Sequence, residues 1–262
     1  DKPLVYYALS TLMRADIRDV LFITNPQDLP SFEAHFGDGS QLGMNIQYKA
    51  QESRDGIAQA FLLGEDFIDG DRVALVLADS IFYGSGFDAN LSEAINRKKG
   101  ATVFAYQVRH PENYAVVDFG DDKKVTYIEE KPEEARTNYV ATGLYVYDEN
   151  VVEYAKKLRP SARGELEITD LNQMYLDHKK LFATTLPEGF AWFSPRTVDD
   201  LFHAGEFVRV VQQSTGTKIA SIEEIAYKKG WIGRAQLLSL ASKIQKTEYG
   251  KYLEAIALST SK

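Results

Sequence analysis

Cysteine is absent from this 262-residue chain, which excludes disulfides, thiolate metal sites and Cys nucleophiles. Histidine is scarce, and His35, His110, His178 and His203 show no spacing that would gather imidazoles around a metal. No apolar run is long enough to span a bilayer. No charged-then-apolar leader opens the chain, so no secretory signal is visible. An excess of positive charge is missing too. Thirty Lys and Arg face 38 Asp and Glu, for a net charge of −8, which argues against a nucleic-acid backbone as partner. An anionic substrate must then be held by a few placed cations or by a divalent metal. The glycine loops lack the Lys-Ser/Thr that completes a P-loop, and Gly84-Ser85-Gly86 lacks the third glycine of a dinucleotide fingerprint. No Ser-His-Asp set presents itself.

What the chain does have is apolar content, at 44%, enough for a sizeable core. Residues 4–14 carry a helical apolar pattern. Val20-Leu21-Phe22-Ile23 and Val73-Ala74-Leu75-Val76-Leu77 are short continuous apolar runs, as expected for strands buried on both faces. Between them the pattern predicts a helix over 28–36, a strand over 45–48 and a helix after Asp55-Gly56. A further helix over 89–98 leads to a strand over 102–108, and this alternation implies parallel crossovers. After residue 110 the texture becomes β-rich: 114–119, 125–129 and 139–147 read as an antiparallel insertion. Helices near 149–158 and 165–178, strands over 181–186 and 190–193, and a helical remainder from Thr197 follow. Ser221-Ile222-Glu223-Glu224 fits a capping box and Gly230 a helix stop, and two short helices over 234–245 and 248–257 close the chain. The expectation is an α/β fold with a mostly parallel mixed sheet, a β-rich insertion and a helical C-terminal appendage, residues 1–220 forming the main domain and 221–262 the appendage.

Several residues invite a chemical reading. Asp79 follows the most apolar strand, where open α/β sheets place their ligands, and a carboxylate there suits either Mg²⁺ against a phosphate or a turn cap. Gln51 lies between a strand and a helix. Its amide can meet a base edge, and Gly56 would let backbone approach a ligand; an ordinary helix-start turn reads the same way. Glu130-Lys131 can hold a hydroxyl and a phosphate or form a solvated charged turn. Gly143 inside a strand calls for a bulge or a close neighbour. Arg163 can fork onto a phosphate, at the opening of a helix whose first turn would hold Glu165.

In this order these segments resemble bacterial glucose-1-phosphate thymidylyltransferases of the sugar-nucleotide pyrophosphorylase family. The matching stretches are Asp1-Lys2-Pro3 with Tyr6-Tyr7 and Leu9-Ser10, Asp55-Gly56-Ile57-Ala58-Gln59-Ala60, Glu129-Glu130-Lys131-Pro132 and Thr142-Gly143-Leu144-Tyr145. Arg163-Gly164-Glu165-Leu166-Glu167-Ile168-Thr169, Asn172-Gln173-Met174-Tyr175-Leu176 and Gly189-Phe190-Ala191-Trp192 match as well. The resemblance implies a Rossmann-like nucleotidyltransferase fold that joins dTTP to glucose 1-phosphate with Mg²⁺, giving dTDP-glucose and pyrophosphate. It implies that Gln51 and Gly56 contact the base and Asp79 binds the metal. Gly143, Glu130 and Tyr145 would surround the glucose, with Lys131 and Arg163 on its phosphate. A cytoplasmic homotetramer of the dTDP-rhamnose pathway, under feedback by a dTDP-sugar, is implied too.

The departures from the family pattern cluster around the same residues. The family's glycine-rich signature loop, the Lys after it and a first strand are expected ahead of Asp1. Trp192-Phe193-Ser194-Pro195-Arg196-Thr197 stands for a family segment in which Ser194 would be the second metal-binding Asp. Ala78-Asp79-Ser80 stands for Gly-Asp-Asn, Ala105 and Ala115 for Gly, and Glu52 for Pro. A hydroxyl is a poorer ligand than a carboxylate for a hard cation. The alternative implied by these changes is a catalytically impaired homologue that binds a sugar nucleotide as a regulatory subunit.

Overall fold

The computed structural model of the chain describes residues 1–259. Helix α1 (Val5–Arg14) leads through β1 (Asp19–Thr24) and α2 (Leu29–Phe36) to β2 (Asn45–Ala50), followed by the short helices α3 (Gln59–Leu63) and α4 (Glu65–Ile68). Then come β3 (Val73–Val76), β4 (Ile81–Tyr83), α5 (Phe87–Asn96), β5 (Ala101–Gln107), β6 (Ala115–Phe119), β7 (Val125–Glu130) and β8 (Tyr139–Tyr147). Helices α6 (Val151–Ala155) and α7 (Ile168–Asp177) precede β9 (Leu181–Thr185) and β10 (Ala191–Phe193). Helices α8 (Val198–Thr215), α9 (Ile222–Lys228), α10 (Arg234–Lys243) and α11 (Glu248–Leu258) complete the described chain, and residues 260–262 of the expected appendage lie outside it.

The sheet is mixed, as the alternating pattern implies. Strands β3 and β5 each pair antiparallel with β8, so they run parallel to one another, and β9 runs parallel to β5. The β-rich insertion supplies β6 and β7 as an antiparallel ribbon at one side. One strand organises the whole. Strand β8 is buried along nearly its full length and pairs with β5 on one edge. On its other edge it meets β6 at Val140 and β3 from Leu144 to Tyr147. The two neighbours diverge, leaving a fork over Ala141-Thr142-Gly143. In open α/β sheets such a split between neighbouring strands is where ligands enter.

Strands β1 and β2 form a separate parallel pair. Among the described residues the second edge of β1 and the second edge of β3 carry no ladder, and both strands line a cavity of about 780 Å³. This is why the two most apolar runs are only half-buried rather than enclosed on both faces.

The core divides between the two faces of the sheet. One cluster joins β5, β6 and β8 to α3, α6 and α7 through Phe61, Tyr147, Leu171 and Tyr175. Another packs α1, β1 and β2 against α9, α10 and α11 through Leu9, Met13, Phe36, Leu237 and Leu253, so the C-terminal helices share a core with the N-terminal segment.

Two local expectations are corrected. The capping box expected at Ser221 does not form: the Ser221 hydroxyl receives Tyr249 Oη–H (3.1 Å) and Glu224 receives Tyr252 Oη–H (2.6 Å). The box forms instead at Thr197 and Asp200, opening α8. The helix expected from about 165 begins at Ile168. Residues 163–167 are held out of it because Leu166 N–H donates to the Asp55 carbonyl (2.7 Å) and its own carbonyl accepts from Ala58 N–H (3.1 Å). Glu165 therefore precedes the helix, and Asp170 is the acidic residue of the first turn.

Candidate active site

Gly143 lies at the fork because nothing larger fits there. A Cβ on it would sit 2.6 Å from Ser80 Oγ and 2.9 Å from Leu77 Cβ and Cγ. Its carbonyl accepts from Leu77 N–H (2.8 Å), which docks the turn Leu77-Ala78-Asp79-Ser80 onto β8. The short β4–β10 pairing, with Phe193 opposite Ile81, brings Ser194 beside Asp79. Ser194 Oγ donates to Asp79 Oδ2 across a long 3.4 Å.

This corner is under-satisfied. Asp79 Oδ1, the Ser80 and Thr142 hydroxyls and Trp192 Nε1 are buried with no hydrogen-bond partner among the described residues. Unpaired polar atoms of that kind are costly unless a ligand or ion completes them. Burial pushes the Asp79 carboxyl above its ordinary range. Its own backbone N–H, the Ser194 hydroxyl and the charge of Arg196 work against that rise.

The second half of the site lies on β7, β8 and the loop before α7. Lys131 is in the left-handed region (φ 46°), a strained turn that ends β7. Its Nζ lies 3.8 Å from Glu130 Oε1. The buried Thr169 hydroxyl donates to Glu130 Oε2 (2.7 Å). Tyr145 is enclosed in the core beneath this pair, and burial together with the Glu130 charge pushes its hydroxyl well above the usual tyrosine range. Arg163 spans Glu167 with Nε and Nη2, at 3.1 and 2.9 Å from Oε1. The structure thus places the arginine on a carboxylate, half-exposed, at the rim of the site.

Tyr114 joins the two halves. Its carbonyl accepts Lys131 N–H (3.0 Å), its ring packs on Trp192 at 5.5 Å, and the Arg196 guanidinium lies 4.2 Å above it. A third segment closes the other end. Gly56 (φ 97°) packs against the Leu166 backbone, where a Cβ would fall 2.3 Å from the Leu166 carbonyl oxygen. That contact accounts for glycine at this position and ties the Gln51 loop to the Arg163 loop. Gln51 donates to the Gly56 carbonyl (3.2 Å) and to Gln59 Oε1 (2.7 Å), and it lines the large cavity.

The structure therefore gathers Asp79, Ser194 and Gly143 at the fork, and Glu130, Lys131, Tyr145 and Arg163 around the ends of β7 and α7. Gln51 and Gly56 close the far side. The sequence reading missed Thr169, Tyr114 and Arg196. Thr169 stood inside a matched stretch without a role. Tyr114 and Arg196 carry no local signal, since their partners are distant in the chain.

Among the described residues no group of three or more His, Cys, Asp or Glu side chains is gathered for a metal. Magnesium needs less than that, because it is held through one or two carboxylates with substrate phosphates and water. The buried, unpartnered Oδ1 of Asp79 fits the protein share of such a site. No helix among the described residues is long and apolar enough to cross a membrane.

Comparison with known proteins agrees with this architecture. A glucose-1-phosphate thymidylyltransferase of Neisseria meningitidis is 50% identical over 97% of this chain and 88% of its own length. One from Xanthomonas campestris is 49% identical over 98% and 87%. A crystal structure from Bacillus anthracis, provisionally named for the same enzyme and in complex with sucrose, is 37% identical. It superposes with a TM-score of 0.72 over 79% of this chain and 82% of that one. A UDP-glucose pyrophosphorylase complexed with UDP-glucose shares the fold at a TM-score of 0.70 and 20% identity, over 80% and 88% of the two chains. The nucleotidyl transferase family model matches residues 1–210, and the chain belongs to that family.

Proposed function

We propose that the chain transfers a nucleotidyl group from dTTP to glucose 1-phosphate. A phosphate oxygen of the sugar phosphate attacks the α-phosphorus, the bond from that phosphorus to the bridging oxygen breaks, and pyrophosphate leaves. Little covalent work falls to the protein in such a displacement, and positioning and charge compensation carry the rate. Glu130, fixed by Thr169, would hold a sugar hydroxyl beside Gly143. Lys131 would hold the sugar phosphate, and Arg163 would exchange Glu167 for it, a bidentate swap of like geometry. Tyr145, buried where the Glu130 charge acts on its hydroxyl, would stand behind the sugar. Asp79, with Ser194 beside it, would hold Mg²⁺, which when bound offsets charge on the triphosphate.

The observation that carries this reading is a carboxylate oxygen left buried and unpartnered at the fork of β8, with Tyr114 joining its corner to the Lys131 turn. The facing open edges of β1 and β3 support a second element of the reading: a further strand, supplied by polypeptide outside residues 1–262, inserts between them. Backbone groups on both edges and an apolar lining suit an extended segment. Feedback by a dTDP-sugar, a homotetramer and a cytoplasmic place in dTDP-rhamnose synthesis belong to the same reading through the family resemblance. The test is pyrophosphate release from dTTP and glucose 1-phosphate with Mg²⁺, using the native gene product. Release that needs both substrates supports the assignment, and binding of dTDP-glucose without any turnover overturns it in favour of a sugar-nucleotide binding subunit.

A further inference from the structure

Lys131 and Arg163 reach the site already paired, the first 3.8 Å from Glu130 and the second 2.9 Å from Glu167. Arg196 differs. Unlike Arg14, Arg97 and Arg163, it lies on no carboxylate among the described residues. Its Nη1 donates to the Asn113 carbonyl at 2.8 Å, and its guanidinium lies 4.2 Å from the centre of the Tyr114 ring. Neither partner carries a net charge, so the cation stays uncompensated. Stacking takes the flat face of a guanidinium and leaves the N–H groups in its plane free. Among the described residues the Asn113 contact is the one hydrogen bond this side chain makes. The backbone fixes its place. Pro195 sets the dihedral just before it, and Arg196 N–H donates to Asp200 Oδ2 at 3.2 Å, beside the Thr197 capping box. Tyr114 is anchored as well, by Trp192 at 5.5 Å and by Lys131 N–H at 3.0 Å. The guanidinium thus stands between the Lys131 turn and the Asp79 corner. Burial raises the Asp79 carboxyl, and the Arg196 charge is one of the groups that oppose the rise. A cation and a carboxylate held within electrostatic range but unpaired, with Asp79 Oδ1 buried and unpartnered, leave room for an anionic group beside the cation.

We infer that Arg196 binds the phosphates that the reaction joins, the sugar phosphate and the α-phosphate of the nucleotide, as a fixed cation of the site. The inference rests on the reading that a nucleoside diphosphate sugar forms at this fork. Charge supports it. Asp79, Glu130 and Glu167 bring carboxylates to the site, and Lys131 and Arg163 answer only the last two. Arg196 evens the balance before any substrate enters. Without it the site is net negative and repels an incoming phosphate. Position selects which phosphates. Tyr114 ties Arg196 to the Lys131 turn, where the sugar phosphate is assigned, and the charge of Arg196 reaches Asp79, where the nucleotide phosphates would lie. The group between those points is the diphosphate shared by both substrates. Arg196 has no carboxylate to release, so it meets that group without the exchange asked of Arg163. The contact needs no bound metal and persists in chelator.

The experiment measures dTDP-glucose affinity by calorimetry, using the native gene product in chelator. Arg196→Met is expected to weaken binding at least about tenfold, the size of a hydrogen bond to a charged group at an exposed side chain. Arg196→Lys keeps the charge but loses the fork, and should recover part of that loss. Thymidine, which has no phosphate, should bind the parent and Arg196→Met alike. A merely structural role through Asn113 and Tyr114 would weaken thymidine and dTDP-glucose together and leave Lys no better than Met, and that pattern overturns the inference. Parent-like dTDP-glucose affinity in a folded Arg196→Met protein overturns it too, as does parent binding that vanishes without Mg²⁺. A loss confined to inorganic pyrophosphate would put the guanidinium on the leaving group and is equally fatal. If Arg196→Met does not fold, Arg196→Gln, which removes the charge and keeps an N–H donor, makes the same comparison. All these failures leave nucleotidyl transfer standing, because pyrophosphate release by the parent tests it separately. If the parent binds dTDP-glucose without turnover, transfer falls and the variants still decide the inference. A parent that neither releases pyrophosphate nor binds dTDP-glucose removes both.

Discussion

Substituting Gly143 by alanine tests how the fork of β8 sets the site. The added Cβ would lie 2.6 Å from Ser80 Oγ and 2.9 Å from two Leu77 carbons, against an ordinary contact of 3.4 Å or more. Strand β8 pairs with β5 at Ala141 and Tyr145, on either side of a register shift, so the Leu77–Ser80 turn or the irregular stretch between them must give by several tenths of an ångström. Overpacking of this kind costs about 1–3 kcal/mol. Stretching the Leu77 N–H to Gly143 carbonyl bond adds about 1 kcal/mol. At roughly 2–4 °C per kcal/mol for a chain of this size, the melting temperature should fall by about 5–15 °C. The catalytic effect should be larger in proportion. The turn carries Asp79, and a misplacement approaching 1 Å at a reacting centre can lower the rate by about 100-fold. Thermal melts and steady-state pyrophosphate release, both with saturating Mg²⁺, measure the two effects. A Gly143→Ala protein with the parent melting temperature and kcat within twofold would refute the argument that this glycine sets the position of Asp79.

Three further outcomes follow from the geometry. Ser194→Asp puts a second carboxylate beside Asp79; in chelator the melting temperature should drop by a few degrees from like-charge repulsion, and Mg²⁺ should restore it with an apparent affinity about tenfold above the parent. An equal Mg²⁺ response in both proteins would count against Asp79 as the metal carboxylate. Thr169→Val removes the hydroxyl that fixes Glu130, at about 1–1.5 kcal/mol, so KM for glucose 1-phosphate should rise about 5–10-fold with KM for dTTP unchanged. Lys2 is buried, and desolvation lowers its pKa from 10.5 to about 8, with Lys218 adding to the fall and Glu223 opposing it. Below about pH 8 it is protonated in both states, and the folded protein carries the full cost of the buried ammonium, on the order of 3 kcal/mol. Between about 8 and 10.5 the folded state sheds the proton first, so stability should rise with pH across that window. Urea titrations at about pH 7.5 and 9.5 should show this rise in the parent and its loss in Lys2→Met.

The elements and the site were unequally legible from sequence. Strands such as 20–23 and 73–77 are continuous apolar runs, and α1 has a clear helical period, so existence and type could be read from spacing. Register could not. Nothing in Tyr139–Tyr147 says that its second edge is shared between β6 and β3, because that choice is made by strands distant in the chain. Local rules also lost where tertiary partners competed. Ser221 and Glu224 have the spacing of a capping box, but half-buried tyrosine hydroxyls from α11 take both acceptors. The Arg163 segment has helix-forming residues, yet Leu166 is pulled into backbone bonds with Asp55 and Ala58. Site residues were legible where the type itself is unusual, such as Gly inside a strand or Asp at a strand tip. Gly56 is marked by its type as well, and a Cβ there would meet the Leu166 backbone.

Strand β8 acts as a ruler for both ends of the site. Gly143 spaces the Asp79 turn from it, and two residues further on Tyr145 lies beneath Glu130. A shift of one residue would turn every side chain of the strand to the opposite face and misplace both halves in one step. The spacing of the two halves thus rests on backbone pairing at Val140–Ala141 and at Leu144–Tyr147, with the β5 register shift between them. Ser80 and Ser194 stand outside these ladders, so a change at either leaves that pairing in place.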